Sequence, residues 1–273
     1  MARFPMMTQE LARHIEQVDI DYTLSRLGGM QAAAGNPLAV EIKQFGRATA
    51  FLIEGWPDFW YGNRVLGLSP ADESQLESIV NFFAARKLPF RFEIIPGQLS
   101  WSLAMRLHLL GFCQGSFSAA LYGPPQPNLV SPALDVRVHV VAPDEVELFL
   151  DLYQDGFGLE RLSSRDKQVV NQWLEQESPY LQLYLATAAG APAGVAILYH
   201  KDGLGLLADA ATVPEFRGRG CQSALLQRRV VEAARQECEL LTSFVEFGSA
   251  SHRNVERAGL RVAYTKALWW KVE

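Results

Sequence analysis

Apolar residues recur along the 273-residue chain with two kinds of spacing, which alternate from segment to segment. Short apolar or alternating runs predict β-strands, whereas apolar residues three or four positions apart predict amphipathic helices. Thr8, a good capping residue, precedes a helix in which Leu11, Ile15 and Val18 share one face, and Gly28-Gly29 is expected to end it. Strands and helices then alternate to the last residues. The pattern predicts an α/β protein in the broad sense, in which helices pack against a mixed β-sheet (an α+β arrangement).

The other elements follow from the same two periods and from Gly and Pro at their ends. The predicted strands are two within residues 38–54, then 64–68, 89–95, 112–122, 136–141, 181–188, 193–200, 206–213, 240–247 and 261–272. The further predicted helices begin near residue 72 and near residue 221, or span residues 99–110, 143–155, 163–175 and 251–258.

A proline-rich segment divides the chain. Residues 123–132 read GPPQPNLVSP, a composition typical of a linker. We therefore expect a domain at residues 1–122, a linker at residues 123–133 and a second domain at residues 134–273. The two halves repeat the same order of elements, with Pro70 corresponding to Pro214 and Gly111 to Gly259.

The most informative stretch is residues 206–226. An apolar strand ends at Pro214, and Arg217-Gly218-Arg219-Gly220 leads into a helix expected to begin near Cys221. The first turn of a helix has unbonded N–H groups and partial positive charge, and glycines let the backbone approach a ligand closely. This order therefore predicts a phosphate or pyrophosphate site. The alternative is a tight turn with two solvated arginines.

Spacing excludes the two common glycine-rich phosphate loops, since no Lys follows either glycine and a GxGxxG pattern lacks its third glycine. Residues 217–221 instead resemble the pyrophosphate loop of the GNAT superfamily of acetyl-CoA-dependent N-acetyltransferases, although Gln222 stands where that pattern has Gly or Ala. The resemblance implies two tandem GNAT-like domains, with the second domain binding acetyl-CoA. The cofactor-binding residues it implies are Ala211, Thr212, Val213, Arg217, Gly218, Arg219, Gly220, Cys221, Gln222, Ser223, Ser251 and Asn254.

The same resemblance implies candidate catalytic groups. Asp209 lies eight residues before the loop arginine, where an acidic general base often stands in the superfamily. The alternative for Asp209 is a strand-edge carboxylate that balances the loop arginines. Val255 occupies the position of the usual Tyr acid, so Tyr264 is a candidate substitute. In the superfamily the strand before the loop separates from its neighbour, residues 240–247 here, and Glu246 is a further candidate near the cleft that this separation implies. His252 is a minor candidate.

The first half lacks the glycine turn. It has Ala71-Asp72-Glu73 at the corresponding helix start, where two carboxylates would repel a phosphate. We therefore expect a degenerate GNAT-like domain that does not bind the cofactor.

Composition narrows the function further. The net charge of -5 and the pI near 5.6 argue against nucleic acid or an anionic membrane as partner. The sequence has no signal-peptide pattern or membrane-length apolar run, which favours a cytoplasmic protein. Three Cys residues without CxxC spacing predict neither disulfides nor a metal site.

The sequence therefore predicts an N-acetyltransferase acting on a primary amine of a small molecule or peptide. The alternatives are a non-catalytic acetyl-CoA-binding sensor or scaffold, and an enzyme with another acyl donor. Neither the acceptor nor the oligomeric state can be predicted.

Overall fold

The computed structural model describes residues 4–57, 59, 62–126, 135–176 and 179–272. It divides into two compact units. The C-terminal unit comprises Met1–Met6 and Leu121–Val262, and the N-terminal unit comprises Met7–Ala120 and Ala263–Glu273. The last strand thus groups with the first half of the chain, whereas we expected it in the second domain. Most of the predicted linker, residues 127–133, lies outside the described residues.

The N-terminal unit is a mixed sheet covered by three helices. Its elements are α1 Gln9–Ala32, β1 Val40–Phe45, β2 Ala48–Ile53, β3 Arg64–Leu66, a 3₁₀ turn Pro70–Gln75, α2 Leu76–Ala84, β4 Arg91–Ile94, α3 Trp101–Leu109, β5 Phe112–Gly123 and β11 Arg261–Lys271. The strand order is β1-β2-β3-β4-β11-β5, with β3 and β4 parallel and β11 antiparallel to β4. The inserted β11 explains why residues 263–273 belong to this unit.

Helix α1 does not end at the two glycines. It continues through Gly28-Gly29 to Ala32, and its N-cap is Thr8 as predicted. The extra turn carries Met30, which is fully buried, so packing outweighs the roughly 1 kcal/mol by which each helical Gly is disfavoured.

A buried ionic cluster links α1 to the sheet of the N-terminal unit. Lys266 Nζ lies 2.6 Å from Asp19 Oδ2 and 2.7 Å from Glu93 Oε2. Arg64 lies 2.9 Å from Asp19 and 3.3 Å from Glu93. Burial alone would lower the pKa of Lys266, but the two carboxylates reverse that effect and raise it. The cluster is therefore an ion-paired part of the core.

At the corresponding helix start in the N-terminal unit, a side chain from the first turn fills the position. Asp72 is buried and accepts hydrogen bonds from Ser69 N, Ser69 Oγ and Arg47 N at 3.0, 2.7 and 2.8 Å. Glu73 instead accepts from Ser102 Oγ at 2.8 Å. A carboxylate thus takes the position where the other half has its glycine turn.

The C-terminal unit is also a mixed sheet with helices. Its elements are β6 Val136–Val140, a 3₁₀ turn Pro143–Glu145, α4 Val146–Phe157, α5 Ser164–Gln176, β7 Leu181–Ala188, β8 Ala191–Lys201, β9 Leu204–Thr212, a 3₁₀ turn Pro214–Phe216, α6 Cys221–Arg235, β10 Leu240–Glu246 and α7 Ala250–Arg257. The order is β10-β9-β8-β7-β6, and only β9 and β10 pair in parallel among these neighbours. None of the described helices combines the length and the apolar character that a membrane crossing requires.

Candidate active site

The glycine turn forms where the sequence predicts it. Gly218 and Gly220 have φ of +78° and +86°, a backbone conformation that residues with a Cβ rarely adopt. Helix α6 begins directly afterwards, at Cys221. A Cβ at Gly218 would meet nothing within 4 Å, so the turn faces open space. The turn therefore leaves room for a ligand at the helix start.

The first turn of α6 supplies unused hydrogen-bond donors. Gly220 O accepts the first intrahelical bond, from Ala224 N at 3.0 Å. The N–H groups of residues 220–223 precede that bond and have no backbone acceptor in the part of the chain that the structure describes. Arg219 is exposed, with its guanidinium carbon 5.2 Å from the Phe216 ring centroid. This arrangement can bind an anion through backbone N–H groups, the helix dipole and one exposed cation.

Arg217 makes hydrogen bonds within the protein. Its Nε donates to Thr212 O at 3.2 Å and its Nη2 to Gly156 O at 3.0 Å. The guanidinium therefore braces the end of β9 against α4, which is a structural role beside the cofactor-binding role expected for Arg217. The Arg217 backbone N–H also bonds internally, to Pro214 O at 3.3 Å.

Strands β9 and β10 part next to this turn. Their ladder contains three pairs, Leu204–Leu240, Gly205–Leu241 and Leu206–Thr242. Ser243 Oγ then donates to Leu207 O at 3.2 Å, after which β9 continues to Thr212 and β10 to Glu246 without further ladder pairs between these fully described strands. The two strands therefore separate beyond this point, as the GNAT resemblance implies, and the gap between them lies next to the glycine turn.

A buried hydroxyl at the end of β9 also indicates a ligand. Thr212 Oγ1 is shielded from solvent and has no hydrogen-bond partner among the described residues. Such a group is costly to leave unsatisfied. Together with the open glycine turn, it fits the cofactor-binding role predicted for residues 211–213.

Asp209 is the extra residue of a β-bulge. Ile197 of β8 pairs with Ala208, and the preceding residue, Ala196, pairs with Ala210, so the register between the two strands skips Asp209. Asp209 is 7% exposed and accepts a hydrogen bond from Tyr153 Oη of α4 at 3.2 Å. Bulges re-aim side chains, and this bulge directs a carboxylate toward α4.

Arg229 of α6 reaches the same bulge. Its Nη1 donates to Ile197 O at 3.1 Å and to Ala208 O at 2.7 Å, and its Nε donates to Leu225 O at 3.2 Å. The residue is 1% exposed. Burial lowers the pKa of Arg229 to about 10, while Tyr184 and Asp209 act in the opposite direction. The guanidinium is therefore charged at neutral pH.

Two predicted cofactor residues border one cavity. The cavity, about 100 Å³, lies between α6 and α7 and is lined by Gln126, Ser223, Leu226, Gln227, Val230, Asn254, Arg257 and Ala258. Asn254 Oδ1 accepts from Arg257 Nη1 at 2.8 Å. Ser251 is half-buried on α7 and is not part of the lining. Gln222 is half-buried in the first turn of α6.

The other candidate catalytic residues lie in different environments. Glu246 is exposed at the end of β10, where it remains available as a base. His252 is buried, and its Nδ1 accepts from Gly248 N at 3.0 Å, which makes it part of the turn before α7. Val255 is buried, at 2% exposure. Burial raises the pKa of the Cys221 thiol, which disfavours a nucleophilic thiolate there.

Tyr264 does not fit its predicted role as general acid. It lies in the N-terminal unit, where its hydroxyl donates to Ala12 O at 3.3 Å. Burial, reinforced by Glu16, Asp19 and Glu93, raises the pKa of Tyr264 well above its ordinary value. Tyr264 is a buried structural donor because β11 pairs with β4 of the N-terminal unit.

Sequence reasoning missed Tyr153 and Arg229. One signal was available for Arg229, because it lies next to Val230 and three residues after Leu226, two apolar residues at helical spacing that indicate the buried face of α6. A charge on an apolar face requires a buried partner. No comparable signal marks Tyr153, because only the tertiary fold brings it to Asp209.

Comparison with known proteins identifies the fold. No protein-family profile and no curated protein sequence matches the chain. Among solved structures, a GCN5-related N-acetyltransferase from Kribbella flavida has a TM-score of 0.65 and 18% identity, covering 94% of this chain and 96% of its own. One from Sphaerobacter thermophilus has a TM-score of 0.60 and 15% identity, covering 99% and 95%. A tandem GNAT protein from the clavulanic acid biosynthesis pathway has a TM-score of 0.58 and 13% identity, covering 92% and 94%. The predicted fold class is confirmed.

Proposed function

We propose that this chain, which has the fold of the GCN5-related N-acetyltransferases, transfers the acetyl group of acetyl-CoA to a primary amine of a small molecule or peptide. The observation that carries the proposal is the open glycine turn at the start of α6, next to the parted strands β9 and β10. Both features occur in the C-terminal unit, which also contains the bulged Asp209.

Each part of the site would have one task. The N–H groups of residues 220–223 and Arg219 would bind the diphosphate, and the free edge of β9 would align the pantetheine amides. Acetyl-CoA supplies an activated acyl thioester when bound. Holding an amine in line with that thioester converts a bimolecular reaction into an effectively unimolecular one.

Asp209 would accept a proton from the incoming ammonium, since only the neutral amine has the lone pair needed for attack. Tyr153 Oη donates to one carboxylate oxygen of Asp209 at 3.2 Å and would hold the side chain in place. General base catalysis of this kind contributes about 10²- to 10⁴-fold to a rate. Glu246, exposed at the end of β10, is the second candidate base.

A non-catalytic acetyl-CoA-binding protein is the second candidate function. It is favoured by Val255, whose buried apolar side chain stands where the resemblance leads us to expect a proton donor. Release of free thiol from acetyl-CoA in the presence of a panel of small amines and peptide N-termini separates the two functions. Amine-dependent release supports the enzyme, whereas binding without release supports the second candidate.

The cofactor site is tested by Gly220→Asp, which places a Cβ and a negative charge in the turn. Acetyl-CoA binding, measured by calorimetry, should be abolished. Gly190→Asp is the matched control, since Gly190 also has positive φ, at +82°, and a Cβ there would meet nothing within 4 Å. Gly190 lies in the turn between β7 and β8, so its variant should bind normally. Normal binding by Gly220→Asp would refute the assignment of the turn.

A further inference from the structure

Side-chain directions along β9 change at the bulge. A Cβ built on Gly205 would lie 3.7 Å from Ala233 Cβ of α6, so residue 205 faces α6. Regular alternation would then turn residues 207 and 209 toward α6 as well. Asp209 instead bonds Tyr153 of α4. One extra residue in the strand accounts for this change of face.

Ala211 shows that the change persists beyond the bulge. A Cβ built on Gly156 of α4 would lie 2.5 Å from Ala211 Cβ, so residue 211 also faces α4. Without the bulge, residues 209 and 211 would both face α6, and Thr212 would exchange faces with them. The bulge therefore determines which residues of β9 border the α4 side of the sheet.

Arg229 occupies the bulge from the α6 side. A bulge disrupts the ladder between its strands, and the carbonyls of Ile197 and Ala208 on either side both accept from Arg229 Nη1. A buried charge is tolerated only where hydrogen bonds and opposite charge compensate it. Three carbonyls and the nearby Asp209 provide that compensation.

We infer that Arg229 is a positioning residue whose buried guanidinium maintains the β9 bulge and thereby directs Asp209 toward α4. The role assigned to Asp209 rests on the proposed function, whereas the role of Arg229 in the bulge does not. Arg229 follows Cys221 by eight residues, which is about 12 Å along a helix. The helix that begins at the glycine turn thus also sets the direction of the candidate base.

The test uses the full chain with Arg229→Met, which keeps a long apolar stem and removes the donors. Cross-strand nuclear Overhauser effects between β8 and β9 report the pairing without any ligand. We expect the Ala196–Ala210 contact to be lost and an Ala196–Asp209 contact to appear. In the transfer assay, kcat should fall by about 10²- to 10⁴-fold, the loss expected when a general base is displaced. The acetyl-CoA dissociation constant should change far less.

Two further variants complete the test. Arg228→Met is the matched control on the same helix, because Arg228 lies 3.6 Å from Glu232 and does not bond the bulge. It should keep both the pairing and kcat. Arg229→Lys retains the charge and a single donor nitrogen, so it should recover part of kcat. It also carries the test if Arg229→Met does not fold.

Wild-type pairing and wild-type kcat in a folded Arg229 variant would overturn the inference. If the wild-type protein binds acetyl-CoA but acetylates no amine, the proposed function fails, and the cross-strand contacts alone then decide the role of Arg229. A uniform drop in melting temperature without a change in pairing would assign Arg229 a purely stabilising role and would also overturn the inference.

Discussion

Glu16 of α1 makes the stability of the N-terminal unit depend on pH. Its carboxyl group is 5% exposed, and Gly67 N donates to its Oε1 at 3.3 Å. Burial raises the pKa of Glu16 from 4.5 to about 7, although Lys266 acts in the opposite direction. The folded protein therefore keeps a proton on this group across a range of pH in which the unfolded chain has lost it.

The direction of the effect follows from that difference. Below pH 4.5 both states are protonated, and the group imposes no penalty on folding. As the pH rises from 4.5 to about 7, only the unfolded state loses its proton, so the stability falls. Above that range the loss is complete. A displacement of about 2.5 pH units corresponds to about 3 kcal/mol.

Glu16→Gln removes the titration and keeps an oxygen that can accept from Gly67 N. We expect the variant to be about 3 kcal/mol more stable than the wild type at pH 8, and the difference should nearly vanish at pH 4.5. Urea unfolding at both pH values, followed by tryptophan fluorescence, measures it. Glu10→Gln is the control, since Glu10 is exposed on the same helix. It should give the same small difference at both pH values. A Glu16→Gln variant that is no more stable than the wild type at pH 8 would refute the reasoning.

Three further predictions concern the site. Calorimetric titration should give one acetyl-CoA per chain, because Asp72 already closes the helix start of the N-terminal unit, and a stoichiometry of two would contradict this. Asp209→Asn should bind acetyl-CoA normally but turn over about 10²- to 10⁴-fold more slowly, with part of the loss recovered at higher pH where more amine is neutral. Unchanged turnover would remove Asp209 from the mechanism. Tyr153→Phe should lower kcat by about 2- to 12-fold, the value of one hydrogen bond. Tyr184→Phe is the control, because the Tyr184 hydroxyl donates to Gln182 Oε1, at 2.5 Å, and not to Asp209. This variant should leave kcat unchanged.

Local signals in the sequence determined most of the elements and the glycine turn. The strand ends before Pro214 and α6 begins at Cys221, both as predicted, and Gly218 and Gly220 adopt positive φ between them. The hairpin turn at Ala189-Gly190 is also as predicted. These features depend on the conformations open to Gly and Pro and on helix-end hydrogen bonds, which involve only neighbouring residues.

Contacts between distant residues decided the rest. Strand β11 pairs with β4, so Tyr264 is a core residue of the N-terminal unit and does not fit the role of a general acid. The GNAT resemblance pointed to Asp209, but the direction of its side chain depends on a one-residue bulge held by a side chain twenty positions later. A strand has a period of two, so a single extra residue reverses every face beyond it. No local pattern in residues 204–212 contains that information, because the hydrogen bonds that stabilise the bulge come from Arg229 on another element.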